Sequence, residues 1–283
     1  MISENLQTLA ETKERFKTAF ANKGVDLTNV PFTQYPEKLN EIQTGGSEEN
    51  KLAKLVSGQE VEIKASDLEG AANIANYCFY QKTNLKSIEI PDSVTSIGNN
   101  AFYSCSGLTE VKISNNAATF GNSVFYNCSQ LKNINLPTEI TTISDNLFYN
   151  CKALENIVIP DKVTDMYNSA FYNSGIKNIT IPKSVKNISS GLFQYCYSLI
   201  KVVFEGQTPK IPSYCFQGNN KITLYDFSNC TTIPTLANTS SLGHASGCQI
   251  VIPDALYDEW TTANVWKDVT NVVWVKKSEY VES

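Results

Sequence analysis

Apolar residues along this chain recur in an order that repeats about every 23 residues. A phenylalanine marks each repeat, and successive members lie 23 residues apart, with one spacing of 22: Phe79, Phe102, Phe125, Phe148, Phe171, Phe193 and Phe216. Self-similarity at such a period predicts a solenoid, because one coil can bury its apolar side only by stacking on its neighbours.

One half of each repeat reads Leu-x-x-Ile-x-Ile-Pro, as at 85–91. Its last two apolar positions alternate with a polar one, which indicates a strand with one buried face. Proline then ends the strand because it has no N–H for the ladder. We predict one continuous parallel sheet, with apolar side chains inward, from these segments: 85–90, 108–113, 131–136, 154–159, 176–181 and 199–204.

The other half reads Ile-x-x-x-(Ala/Val/Leu)-Phe-Tyr-x-Cys, as at 97–105. Its spacing does not alternate, so we expect a turn or irregular helix on the opposite side of each coil. The repeat that contains Phe171 is one residue short, with Ile176 arriving early beside Gly175. We interpret this as a locally tightened turn.

These units resemble the BspA-type leucine-rich repeats of bacteria, which carry Ala-Phe-x-x-Cys/Asn-x-x-Leu-x-x-Ile-x-Ile-Pro. The resemblance covers roughly residues 60–250 and recurs in register over about seven coils. It implies an α+β repeat solenoid: a right-handed leucine-rich-repeat solenoid with a parallel sheet on one face. We assign the repeats to residues 51–250, the first coil being atypical. The resemblance says little about the ligand, because a fold does not fix a function.

The solenoid is preceded by a segment of different character. Residues 1–44 predict a short helical hairpin, and the Gly-Gly-Ser-rich stretch 45–50 predicts a linker. So small a unit has little core of its own. Its apolar stripe therefore predicts an attachment surface, for self-association or for a virion partner: Leu6, Leu9, Phe16 and Phe20.

The chain ends in a predicted cap, residues 251–283. A helix is expected over 254–265 and a last strand over 272–275. We expect three tryptophans to cover the final coil: Trp260, Trp266 and Trp274.

A second resemblance concerns origin. The pattern Tyr-Pro-x-Lys-Leu-x-x-Ile at 35–42, followed by a linker and these repeats, resembles structural proteins of phages or prophages of gut-type bacteria. Shorter matches lie at 225–230 and 233–236. This implies a virion-associated tail or accessory protein. The alternative is a bacterial cell-surface BspA-type adhesin that binds host or matrix protein or glycan. The stretch after Met1 does not read as an export signal, but this alternative allows that such a signal has been removed.

Eight cysteines raise the question of disulfides. Four follow the repeat phenylalanine by three residues, where Ser174 and Asn219 stand in other coils: Cys105, Cys128, Cys151 and Cys196. A position that accepts Cys, Ser or Asn predicts a small inward residue that bonds locally, so we expect free buried thiols. Zinc is not expected, since there is no CxxC and His244 is the single histidine.

The charge and motifs narrow the function further. A net charge of −5 and a pI of about 5.1 argue against nucleic acid or an anionic membrane. No apolar run reaches the length of a membrane span, so we expect no membrane insertion. No phosphate loop or catalytic set appears. We therefore expect a non-enzymatic protein without cofactor or metal, either virion-associated or cytoplasmic before assembly, or on the cell surface.

Two rows could bind a protein or glycan ligand. The first is the outward strand position, whose variation suits recognition but also a merely solvated face: Glu89, Lys112, Asn135, Val158, Thr180, Val203 and Asp226. The second follows the repeat phenylalanine and could form an aromatic platform: Tyr80, Tyr103, Tyr126, Tyr149 and Tyr172. We favour a structural ladder for these tyrosines, because identical residues in register pack on one another.

Overall fold

The computed structural model describes residues 59–68, 70–207 and 210–281. The chain divides into two compact units, Met1–Val61 and Glu62–Ser283. The predicted hairpin and linker lie outside the described residues, as do Leu6, Leu9, Phe16 and Phe20. Their boundaries therefore stay predictions.

The described part of the chain is built mainly from short strands. They are β1 (Val61–Ile63), β2 (Asn73–Ile74), β3 (Leu85–Ile90), β4 (Ser96–Ile97), β5 (Glu110–Ile113), β6 (Thr119–Phe120), β7 (Asn133–Ile134), β8 (Thr142–Ile143), β9 (Asp165–Met166), β10 (Asn178–Ile181), β11 (Asn187–Ile188), β12 (Lys201–Phe204), β13 (Leu224–Asp226), β14 (Cys248–Ile252) and β15 (Val272–Lys276).

The parallel-sheet solenoid predicted from the repeats is confirmed. One sheet has the order β1-β3-β5-β7 and another β10-β12-β13-β14-β15. The register advances by one repeat at each step, as in Ile88 opposite Val111 and Ile179 opposite Val202. Inward residues of these strands are buried, so the core runs along the solenoid axis.

The prediction of one continuous sheet is wrong at a single coil. Residues 154–159 form no strand, and β7 stops at Ile134. The side chain of Asn135 gives the physical reason, because its amide bonds to both backbone groups of Ile113, Oδ1 accepting at 3.0 Å and Nδ2 donating at 2.7 Å. A side chain thereby takes the ladder position that the backbone of Asn135 would occupy.

The opposite side of each coil contains strands that the pattern did not predict. Two three-stranded parallel sheets, β2-β4-β6 and β8-β9-β11, are formed by residue pairs that end in the apolar residue five places before the phenylalanine. Runs of two residues are too short for alternation to reveal. These two sheets are interrupted near the same coils, where the buried hydroxyl of Ser144 donates to Phe120 O at 2.7 Å.

The repeat phenylalanines form the centre of the core. From Phe79 to Phe216 successive rings stack with centroids 5.1–5.5 Å apart and planes within 20°. Six of the seven are fully buried, and Phe79 in the first of these coils is 6% exposed. Stacking in register therefore buries each ring between its two neighbours.

The C-terminal segment extends the sheet as well as covering it. β14 pairs with β13, and β15 pairs with β14 in the same parallel sense. The predicted helix is shorter than expected, an α-helix α1 over Tyr257–Thr262 flanked by 3-10 turns. Trp260 and Trp266 are buried against Phe227. Trp274 is half-buried, and its ring centroid lies 6.2 Å from that of Trp266.

Candidate binding surface of the solenoid

The predicted strand-face row lies in register wherever the sheet is intact. Glu89 is opposite Lys112, and Thr180, Val203 and Asp226 follow one another on adjacent strands. These side chains therefore lie on one face of the solenoid. Several of them already have partners within the chain, which limits what each can offer to a ligand.

The first coils of this face are charged and internally paired. Glu89 Oε1 lies 3.5 Å from Lys64 Nζ and 3.4 Å from Lys112 Nζ. Burial opposes ionisation of Glu89, but the two lysines outweigh it and hold the pKa of the carboxyl below its usual value. Glu110 Oε1 lies 3.9 Å from Lys112 Nζ, so the two carboxylates and two lysines make this end a small neutral cluster.

The side chains of Asn135 and Asp226 form hydrogen bonds with backbone groups of this chain. Asn135 holds Ile113, as described above, and Asp226 Oδ1 accepts from the N–H of Ser228 at 2.9 Å. Between them the row becomes less polar. Val158 is 82% exposed, Thr180 is exposed and Val203 is half-buried. The least committed part of the face is thus its middle, around Val158.

A groove lies at this middle position, between the coils 131–139 and 154–162. Its volume is about 560 Å³. Residues of both coils line it: apolar ones such as Ile134, Leu136 and Ile157, and the charged Glu139, Asp161 and Lys162. Ion pairs between Lys162 and Glu139 and between Lys177 and Glu155 bridge consecutive coils beside it. This is the volume of a small-ligand or short-peptide site.

The tyrosine row is a stacked ladder. From Tyr80 to Tyr172 the ring centroids are 4.4–5.1 Å apart with planes within 16°. Each end is met by the edge of another ring, that of Tyr77 or Tyr195. Burial and the neighbouring phenols raise the pKa of Tyr149 to about 12. Since the ring faces cover one another, the row offers a ligand ring edges and hydroxyls rather than a stacking platform.

Beside the tyrosines the same turns form a polar furrow of about 540 Å³. It is lined by the residues two and four places after each phenylalanine, from Gln81 and Thr83 to Asn150 and Lys152. The first of these two positions is left-handed, with φ near 58° at Asn127 and Asn150, which suits asparagine. Asn150 Nδ2 donates to Asn127 Oδ1 at 2.8 Å, so these amides are largely satisfied by one another.

The cysteine column explains why Cys, Ser and Asn interchange. Cys105, Cys128 and Cys151 each donate S–H to the carbonyl of the phenylalanine one coil earlier, at 2.9–3.1 Å. Asn219 donates Nδ2 to Phe193 O at 2.8 Å in the same way. The four thiols predicted to be free and buried are free and buried, Cys196 included. Burial raises the pKa of Cys105 to about 12, which makes these groups poor nucleophiles.

Little in the described residues suggests other chemistry. No cluster of three or more His, Cys, Asp or Glu side chains with metal-binding geometry occurs there. His244 is half-buried and its Nδ1 lies 2.9 Å from the carbonyl of Ala245. In the same part of the chain no helix is long and apolar enough to span a membrane.

Sequence reasoning found both rows but missed the groove. The sequence does carry a sign of the groove: in two neighbouring repeats the outward strand position is an asparagine, Asn135, and then an apolar residue, Val158. A pattern of apolar and polar letters cannot show that the first turns its amide onto a backbone. Only the resulting hydrogen bonds reveal that the ladder opens.

Comparison with solved structures finds bacterial leucine-rich repeat proteins at low identity. A leucine-rich repeat protein of T. pallidum is 21% identical, covers 67% of this chain and 86% of its own, and gives a TM-score of 0.49. A leucine-rich cell surface protein of Faecalibacterium prausnitzii is 21% identical, with coverages of 78% and 67% and a TM-score of 0.42. The pneumococcal vaccine antigen PcpA is 16% identical, with 77% and 68% covered and a TM-score of 0.45.

Family comparison is more direct. No curated protein matches the chain. Six copies of the BspA type leucine rich repeat region are found, over residues 72–200 and 141–246. Together these ranges span more than half of the 283 residues, and the matched family is a repeat region rather than an enzyme family. The chain belongs to the BspA type leucine-rich repeat family.

Proposed function

We propose that this chain is a non-enzymatic binding protein that holds a protein or glycan ligand on its strand face. The observation that carries the proposal is the middle of that face, where Val158 is 82% exposed beside a groove of about 560 Å³. Elsewhere on the face, charged side chains are paired within the chain. An exposed apolar group next to a concave site is a common mark of an interaction surface.

The two predicted rows differ in how well they fit this role. The tyrosine ladder and the asparagines beside it are engaged with one another, which favours a structural role for them. On the strand face, Val158 and Thr180 point outward, and a ligand that covers them breaks no ring stacking or amide hydrogen bond of this kind. A ligand therefore gains more by covering the strand face than by covering the tyrosine side.

The experiment is a search for ligands with the full chain. A glycan array and a panel of host extracellular-matrix proteins should give at least one saturable interaction. The variant Val158→Asp should lose it by about tenfold or more, because a charge is placed in an apolar contact. Val281→Asp is the matched control, since Val281 is also 82% exposed but belongs to the C-terminal segment. No interaction, or equal effects of the two substitutions, contradicts the proposal.

We consider two biological settings for this binding role, a virion and a bacterial surface. The virion hypothesis rested partly on 225–230 and 233–236, and in those stretches Tyr225, Phe227 and Leu236 are core residues. Core packing accounts for these matches without a virion. The rest of that resemblance falls on the hairpin and linker. A phage-particle fraction that contains the protein would favour the first setting, and labelling on intact bacterial cells would favour an adhesin.

A further inference from the structure

The parallel ladder of the solenoid is interrupted on both sides of residues 156–160, which pair neither with 131–140 before them nor with Asn178–Ile181 after them in the described structure. Among the described residues, no backbone hydrogen bond joins 155–160 to 131–140. Ala153 N–H donates to Ser129 O at 3.2 Å before this gap, and Thr164 N–H rejoins the earlier coil at 2.8 Å after it. The two coils are thus fixed at both ends of an open stretch.

The opening reaches the edge of the core. In intact coils, the first of the two alternating inward positions is fully or almost fully buried: Ile88, Val111, Ile179, Val202 and Tyr225. At the gap the same position is only half-buried, in Ile134 and in Ile157. The outward Val158 between the two apolar positions of its coil is 82% exposed. The groove therefore has an apolar floor and an apolar side.

The walls of the groove carry main-chain groups that lack partners in the described residues. Residues 156–159 run in a stretch where neighbouring coils exchange N–H···O=C bonds at strand spacing, yet they take part in no such bond to the coil before them. Such a row of donors and acceptors is complementary to another extended main chain. Lys162 pairs with Glu139 and Lys177 with Glu155, so most of the charge around the groove is neutralised and an occupant of low net charge is favoured, although Asp161 also lies in the lining.

We infer that this groove binds an extended peptide segment of a partner protein, which lies along residues 156–159 as an added strand. Its main chain pairs with the open backbone groups, and its alternate apolar side chains cover Ile134 and Ile157. Strand addition of this kind takes affinity from main-chain bonds and specificity from alternate side chains. The inference rests on the proposed function, since it names the ligand class for the same face.

The test uses the full chain and a displayed library of random heptapeptides. Enriched peptides should carry apolar residues at alternate positions and no net charge at their centre. Methylation of alternate backbone nitrogens in a selected peptide should weaken binding by about tenfold or more, because ladder donors are removed. Val158→Asp should weaken binding by a similar factor, whereas Val281→Asp should leave it unchanged. Bound peptide should also slow hydrogen exchange at residues 156–159.

Three results would overturn the inference: no enriched peptide, selected peptides that tolerate the methylated backbone, or selected peptides that bind Val158→Asp as well as the natural chain. Failure here is distinguishable from failure of the proposed function. A glycan ligand that depends on Val158, without any selected peptide, would keep the strand face as the binding surface and reject the peptide. Absence of every ligand would reject both.

Discussion

Single residues in this solenoid act through columns, because each position is stacked on its equivalent one coil away. Phe148 shows the effect, with rings at 5.5 Å and 5.4 Å on its two sides and no exposure. Phe148→Ala should lower the free energy of unfolding by about 3–5 kcal/mol, the usual range for deleting a buried aromatic ring. Urea denaturation measures it. Val158→Ala, at an exposed site, should change it by about 0.5 kcal/mol or less, and a loss below about 1 kcal/mol for Phe148→Ala would mean that the ring is not core.

Asn219 is an imperfect member of the cysteine column. Its Nδ2 bonds to Phe193 O, but its buried Oδ1 has no partner in the described structure. A cysteine makes the same bond in other coils without burying a second polar atom. Asn219→Cys should therefore raise the free energy of unfolding by about 1 kcal/mol, since an unsatisfied buried acceptor is costly. Asn220→Cys, at the exposed neighbouring residue, is the control and should change the free energy of unfolding little. If Asn219→Cys is less stable than the natural chain, the unpaired Oδ1 of Asn219 is not costly and the account of this column is wrong.

The buried thiols also predict a dependence on pH. Burial raises the pKa of Cys105 and Cys248 to about 12 and that of Cys196 to about 11, whereas thiols in the unfolded chain ionise near 8.5. Their contribution to stability is complete below about pH 8.5 and is lost as the pH rises toward 12, because the unfolded chain releases its protons first. Denaturation at pH 8 and pH 10.5 should show this fall.

A matched variant separates the thiols from other titrating groups. Cys128→Ser and Cys151→Ser together remove two thiols of the column, and the hydroxyl does not titrate in this range. The fall in stability between the two pH values should shrink in that variant. Rapid thiol alkylation of the native protein at Cys105, Cys128, Cys151 or Cys196, or disulfides found among them by mass mapping, would contradict the free and buried state of this column.

Elements were predictable from the sequence where a full repeat supports them. The strand 85–90 was predicted with the bounds observed for β3, and β5, β10 and β12 fall inside their predicted segments. The last strand was expected over 272–275 and is observed over Val272–Lys276. One predicted strand is absent from the structure. β7 stops at Ile134 because the amide of Asn135 takes the backbone groups of Ile113, and residues 154–159, in the next coil, have the strand pattern but form no strand.

The candidate site was likewise predictable from the sequence only in part. Register placed Thr180, Val203 and Asp226 on one face, as observed. The tyrosine row was expected to be a ladder in preference to a platform, and its stacked geometry fits the ladder. The groove could not be predicted, since it depends on which backbone groups lack partners. That property belongs to the arrangement of two coils rather than to any one motif.

The N-terminal hairpin is an element whose role stays a prediction. Removing residues 1–44 should leave the solenoid folded with a nearly unchanged melting temperature, because its core is stacked within its own coils. Self-association, or incorporation into particles where a phage is available, should be lost. Light scattering and thermal melting of both chains measure this. A truncated protein that unfolds or aggregates would show that the hairpin is a structural cap.

At the scale of the whole molecule, a solenoid gains stability from nearest-neighbour contacts between coils. An opened pair of coils is then a local weakness in an otherwise continuous stack. The chain retains its core there through Phe148 and the buried Leu136 and Ile159, while the outer backbone is left accessible. The strand face is therefore closed at most positions and open at one, and that opening is where we place the ligand.

Hydrogen exchange of the free full-length protein tests this central claim most directly. Amides at 202–204 and 224–226 lie in strands that are paired on both sides and should be strongly protected. Amides at 156–159, in the same stack of coils, should exchange faster by orders of magnitude, because they have no backbone partner among the described residues. Equal protection of the three segments would mean that the ladder is continuous and that the strand face has no opening.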